Sequence, residues 1–130
     1  MVSKLLKLSE SETAVLKTLW RLGPSTARAI NEDLQSQGYD WAHTTVLTLL
    51  QRLAGKGCVD IDKSGFAHEF RAAVTREKLL RRRMADLVED FCDGAASPLL
   101  QALVKGHRFS ETEIAEFREL LDELENRSKS

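Results

Sequence analysis

The chain has 130 residues, of which 42% are hydrophobic and 30% are charged, a balance that excludes a wholly disordered protein. Its formal net charge of -1 excludes a polycation that would attract nucleic acid through a broad positive field. No apolar run approaches the ~20 residues of a membrane span, and residues 1–7 lack the pattern of a signal peptide, so we expect a cytoplasmic protein without membrane insertion.

The first part of the chain predicts two short helices. Ser9 and Glu12 have the spacing of a capping box, which opens the first helix, and Gly23 ends it. Ser25 or Thr26 can cap the second helix. Apolar residues recur at helical spacing in both segments, so each helix has one face to bury.

A third helix is predicted over residues 42–56, and its two faces differ. The apolar stripe lies at positions i, i+3, i+4 and i+7: Val46, Leu49, Leu50 and Leu53. The opposite face carries short polar and basic side chains, and residues 41–59 contain no acidic residue. A helix that buries one face and presents a short, acid-free polar face suits the major groove of DNA.

Alternating apolar and polar residues then predict a β-hairpin. Its first strand begins near Val59, and its second strand places Phe66, His68 and Phe70 on one face. The turn between them is Lys63-Ser64-Gly65. Helices followed by a hairpin are typical of a winged helix-turn-helix.

From Thr75 onward the helical period returns and predicts three more helices, the last opened by a capping box at Ser110. The predicted fold is therefore mainly α with a small β-hairpin, as a winged helix-turn-helix domain over residues 1–73 and a helical dimerisation domain over residues 74–130. So many apolar residues on a short appendage are best buried against a second copy, although folding back on the chain's own domain stays open. We expect these residues to form the dimer interface: Leu80, Met84, Leu87, Phe91, Leu103, Phe117, Leu121 and Leu124.

The polar face of the third helix supplies the candidate DNA contacts. Threonine hydroxyls can bond phosphates or base edges, an arginine can reach a guanine edge, and an exposed leucine can pack on thymine methyl groups. Lysines at the hairpin tip and in the N-terminal arm can contact phosphates. The predicted contact residues are His43, Thr44, Thr45, Leu47, Thr48, Gln51, Arg52, Lys63, Ser64 and Lys4.

Two blocks of sequence resemble the BlaI/MecI/CopY family of penicillinase repressors. The first is residues 8–20, and the second is WAHTTVLTLLQRL at residues 41–53 followed by Lys56-Gly57. Residues 91–94 and 109–114 are similar to the dimerisation segment of that family. The resemblance implies a homodimeric repressor of double-stranded operator DNA with inverted TACA/TGTA-like half-sites. In several relatives the target is a β-lactam-resistance or copper-homeostasis operon. For this chain we expect a β-lactam-resistance or stress-response operon.

The resemblance also implies how the family is induced, and here the chain departs from it. Better-known members are cleaved at an Asn-Phe bond. The matching bond in this chain is Ala102-Leu103, which is the candidate proteolytic site. The resemblance implies a membrane sensor-protease as the upstream inducer. The segment from Phe109 onward has no cysteine, so the cysteine-rich copper motif of one branch is absent. His43 replaces a residue that is usually proline, which can alter operator preference.

Three other function classes compete with a repressor. An enzyme is disfavoured, because His43, His68 and His107 lie on separate elements without partners at ligand spacing, and we expect no metal or cofactor. A regulator that senses an effector or redox state would use Cys58, Cys92 or a histidine as ligand or redox switch. The two cysteines are better explained as small buried hydrophobes. A winged-helix module that binds only proteins would lack the steep salt dependence of DNA binding.

Overall fold

The computed structural model describes residues 7–129, so Lys4, a predicted DNA contact, lies outside the described residues. Within this range the elements in chain order are α1 (Glu10–Leu22), β1 (Ser25–Thr26), α2 (Ala27–Ser36), α3 (His43–Gly55), β2 (Val59–Asp62), β3 (Glu69–Ala72), α4 (Arg76–Cys92), α5 (Ser97–Gly106) and α6 (Glu111–Ser128). This order confirms the predicted fold class, with a small antiparallel sheet in a mainly helical chain.

The helix starts follow the predicted caps. Ser9 Oγ accepts a hydrogen bond from the Glu12 main-chain N–H at 3.1 Å, and Glu12 Oε1 accepts one from the Ser9 N–H at 2.9 Å. Ser110 and Glu113 form the same capping box at α6. Of the two candidates for α2, Thr26 is the cap, since its hydroxyl accepts from the backbone N–H three residues on. These bonds satisfy amides that the first turn leaves unpaired.

The sheet has three strands in the order β1-β3-β2, all antiparallel. The sequence predicted only β2 and β3, because the two residues of β1 are too few to show alternation. The predicted start of the second strand at Phe66 is wrong: β3 begins at Glu69, which pairs with Asp62, and residues 63–68 form a loop. The reason is a side-chain turn, in which the Asp62 carboxylate accepts from both the N–H and the hydroxyl of Ser64 and delays strand pairing.

The hydrophobic core lies between α1, α2, α3 and the sheet, and it contains the apolar stripe predicted for α3. The residues of α1, α2 and α3 with 0–1% of their surface exposed include Val15, Leu16, Leu19, Ile30, Leu34, Val46, Leu50 and Leu53. Because the stripe of α3 is buried, its opposite face must point to solvent. We call β2, β3 and the loop over residues 63–68 the wing.

An ion pair between buried Glu12 and half-buried Lys56 joins the start of α1 to the end of α3. Glu12 is only 3% exposed, and Lys56 Nζ lies 2.8 Å from each of its carboxylate oxygens. The same ammonium donates to the Lys7 carbonyl at 3.0 Å. Burial alone would raise the pKa of Glu12, but hydrogen bonds from Lys56 and Ser9 outweigh it and hold this pKa below its ordinary value.

The lowered pKa of Glu12 predicts a pH dependence of stability. In the unfolded chain the Glu12 carboxyl has a pKa of about 4.3. The ion pair therefore contributes its full stabilisation above that pH, and this stabilisation is lost as the pH falls through the lower pKa of folded Glu12. We therefore expect the difference in free energy of unfolding between wild type and Glu12→Gln to shrink on acidification. Urea titrations from neutral pH down to about pH 3 measure it. A difference that stays constant across this range would contradict the ion-pair account.

The chain forms two compact units that divide between Leu87 and Val88, later than the change in periodicity near Thr75. Within the first unit, Trp20 Nε1 donates to the carbonyl of Val74, two residues before α4 begins, at 2.8 Å. The Arg76 guanidinium also lies 5.5 Å from the centre of the Trp20 ring. The helical periodicity continues along α4, so it does not show that the boundary between the two units falls within this helix.

The second unit leaves its apolar side chains uncovered. No residue of α5 or α6 is buried, and Phe91 near the end of α4 is 80% exposed. Between α5 and α6 runs an apolar groove of about 360 Å³, the C-terminal groove, lined by Leu100, Leu103, Val104, Phe109, Phe117, Leu120, Leu121 and Leu124. In the part of the chain that the structure describes, no helix is long and apolar enough to cross a membrane.

Candidate nucleic-acid interface

The solvent face of α3 gathers most of the predicted DNA-contact residues. The exposed ones are His43, Thr44, Thr45, Thr48, Gln51 and Arg52. Leu47 differs, because it is half-buried and packs against the core, so only part of its side chain can meet a ligand. The face is therefore polar and basic with one apolar edge.

The N-terminal end of α3 is open. Ala42 precedes the helix and supplies no side-chain cap, although its carbonyl accepts from the Val46 N–H at 3.2 Å. The first main-chain N–H groups of α3 thus have no side-chain partner, and the first turn has no acidic residue. Unpaired amides at a helix start, together with the helix dipole, attract a phosphate, and exposed Thr44 and Thr45 lie beside them.

The Thr48 hydroxyl is already engaged within the helix. Its Oγ1 donates to the Thr44 carbonyl at 3.0 Å. The proton of the hydroxyl is therefore used, while the oxygen can still accept a hydrogen bond. In the major groove this favours a base that offers an amino donor, such as adenine N6 or cytosine N4.

Arg52 is an exposed cation on the solvent face of α3. None of the ion pairs within residues 7–129 involves it, whereas Arg28 pairs with Glu32 at 3.2 Å and Arg21 pairs with Asp33. Since no carboxylate must be displaced, its guanidinium can bind a phosphate or the acceptor pair of guanine.

In the wing loop, the two predicted contact residues differ in what they can offer. Ser64 uses its N–H at 2.9 Å and its hydroxyl at 2.6 Å to bond the Asp62 carboxylate, and these bonds lower the pKa of Asp62. Lys63 is exposed and takes part in none of the ion pairs of the described chain. Ser64 thus shapes the loop, and Lys63 is the cation available to a phosphate.

A groove of about 300 Å³ joins the wing to the start of α3, and sequence reasoning missed part of it. We call it the wing–helix groove. It is lined by Thr26, Ala27, Arg28, His43, Leu47, Ala67, His68 and Phe70. Arg28 was detectable as a cation in the first turn of a helix, where it opposes the helix dipole, although Glu32 of the same helix already pairs with it. His68 gave no such signal, since only tertiary packing brings it near α3.

The two cysteines differ in burial, and only Cys58 is the small buried hydrophobe that the sequence predicts. Cys58 is fully buried, and burial raises the pKa of its thiol, which disfavours the thiolate that redox chemistry needs. Cys92 is half-buried in α4, and both thiols are free. Residues 7–129 also contain no cluster of three or more histidine, cysteine or acidic side chains that could hold a metal ion.

Comparison with known proteins extends over nearly the whole chain. Residues 8–123 match the family described as penicillinase repressor. The chain is 35% identical over 126 residues to the transcriptional regulator BlaI of Mycobacterium tuberculosis, which covers 95% of this chain and 89% of that protein. It is 26% identical over 122 residues to the methicillin resistance regulatory protein MecI of Staphylococcus aureus, covering 94% and 98%.

A solved structure resembles the N-terminal part. The DNA-binding domain of the repressor BlaI, determined in solution, superimposes with a TM-score of 0.50 at 23% identity. The match covers 57% of this chain and 89% of that domain. At this level of identity the likeness shows the fold, which is that of a winged helix.

Proposed function

We propose that this chain, which belongs to the penicillinase repressor family, acts as a homodimer whose two α3 helices bind the half-sites of a palindromic operator. The family match confirms the resemblance stated from the sequence. The chain is accordingly a transcriptional repressor with a DNA-binding domain, and repressors of this family are not enzymes.

The observation that carries the proposed contact surface is the solvent face of α3. It combines an uncapped N-terminus, exposed threonines and the unpaired Arg52, with no acidic residue in the helix. Each of these features favours an anionic, hydrogen-bonding ligand over an apolar protein surface. We assign base contacts to Thr48, Gln51 and Arg52, and phosphate contacts to the helix start and Lys63.

The second unit supports the homodimer. Its helices bury no residue within the chain, yet the C-terminal groove is lined by apolar side chains alone. Apolar surface of this extent is unfavourable in water and is best removed by a second copy of the same groove. The predicted interface residues Leu103, Phe117, Leu121 and Leu124 line this groove, whereas Leu80, Met84 and Leu87 belong to the first unit.

The proposed target is an operon for β-lactam resistance, and the proposed inducer is a membrane sensor-protease. The target follows from the penicillinase repressor family and from the relative named for methicillin resistance. The candidate cleavage bond, Ala102-Leu103, lies inside α5. A protease needs an extended segment, so cleavage there requires α5 to unwind first.

The test begins with operator fragments selected from genomic DNA by the purified protein and mapped by footprinting. Arg52→Ala is expected to weaken binding to the footprinted duplex by ~1–3 kcal/mol if Arg52 contacts a base. Fluorescence anisotropy measures the affinity, with Arg82→Ala, an exposed arginine on α4, as the matched control. Wild-type affinity in both Arg52→Ala and Thr48→Ala would reject α3 as the contact surface.

A further inference from the structure

Phe66 at the tip of the wing is fully exposed to solvent. Within the wing, all of which the structure describes, it is the only large apolar side chain that is exposed. Its neighbours along the loop are polar or small, so it is not the rim of a buried cluster. Exposure of the whole aromatic ring to water is unfavourable. Contact with any apolar surface would remove the ring from water and contribute a favourable free energy of burial.

The two loop residues that follow Phe66 lie beside the start of α3. Ala67 and His68, the two residues that follow it, line the wing–helix groove together with His43 and Leu47 of α3. A ligand that covers the N-terminal end of α3 therefore lies beside the residues that support Phe66.

The loop is also held in shape at both ends. Asp62 accepts two hydrogen bonds from Ser64, and Asp62 pairs with Glu69 where the strands meet. Lys63, on the other arm of the loop, is exposed and supplies a positive charge. Phe66 thus offers an apolar ring and Lys63 a positive charge on one hydrogen-bonded loop. This combination suits a ligand with an apolar interior and an anionic outer edge.

We propose that Phe66 is an apolar wedge that enters the DNA minor groove beside each half-site while Lys63 holds the flanking phosphate. The inference rests on the proposed function, because it requires α3 to lie in the adjacent major groove. Minor-groove proteins use phenylalanine and other apolar side chains in this way to part and kink a base step. Flexible pyrimidine–purine steps unstack most easily, so Phe66 would add a preference for such steps at the flanks of the operator.

The test compares Phe66→Ala with Lys63→Ala on the footprinted operator duplex across a series of salt concentrations. Phe66→Ala is expected to weaken binding about tenfold while leaving the slope of log affinity against log salt unchanged, because an apolar contact releases no counter-ion. Lys63→Ala is expected to reduce the magnitude of that slope by about 1. Phe66→Leu keeps an apolar wedge and should retain most of the affinity, and the thermal midpoint of all three variants should match wild type.

A second readout separates a wedge from a surface contact. With 2-aminopurine at the flanking step, wild type should raise the fluorescence by unstacking the base, and Phe66→Ala should not. Wild-type affinity and fluorescence in Phe66→Ala would overturn this inference while leaving the proposed function intact. A duplex that wild type itself fails to bind would overturn the proposed function, and the wedge with it.

Discussion

Leu124→Asp is expected to convert the protein to a monomer and to weaken operator binding by about 10²–10⁴-fold. Leu124 is 52% exposed and lines the C-terminal groove, where a charge would have to be desolvated for two copies to join. Without the dimer, each α3 binds its half-site alone and the gain from linking two sites is lost, which accounts for the size of the effect. Light scattering gives the mass, and anisotropy with the operator duplex gives the affinity.

The matched control for Leu124→Asp is Ala115→Asp. Ala115 is exposed on the same helix and does not line the groove, so it receives the same charge without touching the proposed interface. We expect this variant to remain a dimer with wild-type affinity. A dimeric Leu124→Asp protein that binds normally would refute the assignment of the groove.

Lys56→Met is expected to lower the free energy of unfolding by ~3 kcal/mol. The substitution leaves the Glu12 carboxylate buried without its cation, and an unpaired buried charge is far costlier than a lost surface pair. Lys63→Met, at an exposed lysine of the wing, is the control and should change stability by no more than ~0.5 kcal/mol. Urea unfolding of both proteins measures the effect, and equal stabilities would show that the Glu12–Lys56 pair contributes little.

Much of the fold could be predicted because its signals are local. The capping boxes at Ser9 and Ser110 lie within four consecutive residues, and the apolar stripe of α3 repeats along one helix. The Glu12–Lys56 pair could not be predicted in this way, since 44 residues separate its members and only the packing of α1 on α3 brings them together. Both residues nevertheless lie within the two blocks that carry the family resemblance.

The candidate site could be predicted as a surface, but its hydrogen bonds could not. The polar face of α3 follows from the position of Val46 and Leu50 in the buried stripe. That Thr48 donates to its own helix and that Ser64 is held by Asp62 depends on rotamers, which no residue pattern specifies. The alternation of apolar and polar residues that ends at Phe70 continues back into the loop by chance. The sequence pattern therefore places Phe66 in a strand, although it lies in the loop.

The proposed dimer and the proposed DNA-contact surface together set a geometric requirement. Two α3 helices must lie about one DNA turn, ~34 Å, or a multiple of it apart to enter successive major grooves on one side of the duplex. A single winged unit has no such constraint and would bind one half-site with a short footprint. The length and symmetry of the footprint therefore report on the second unit as directly as on the first.

The stoichiometry of the complex tests the account most directly. Analytical ultracentrifugation of the protein mixed with the footprinted duplex at low salt should give two chains per duplex, and raising the salt should dissociate the complex steeply. One chain per duplex, or a protein that sediments apart from the DNA at low salt, would contradict the account.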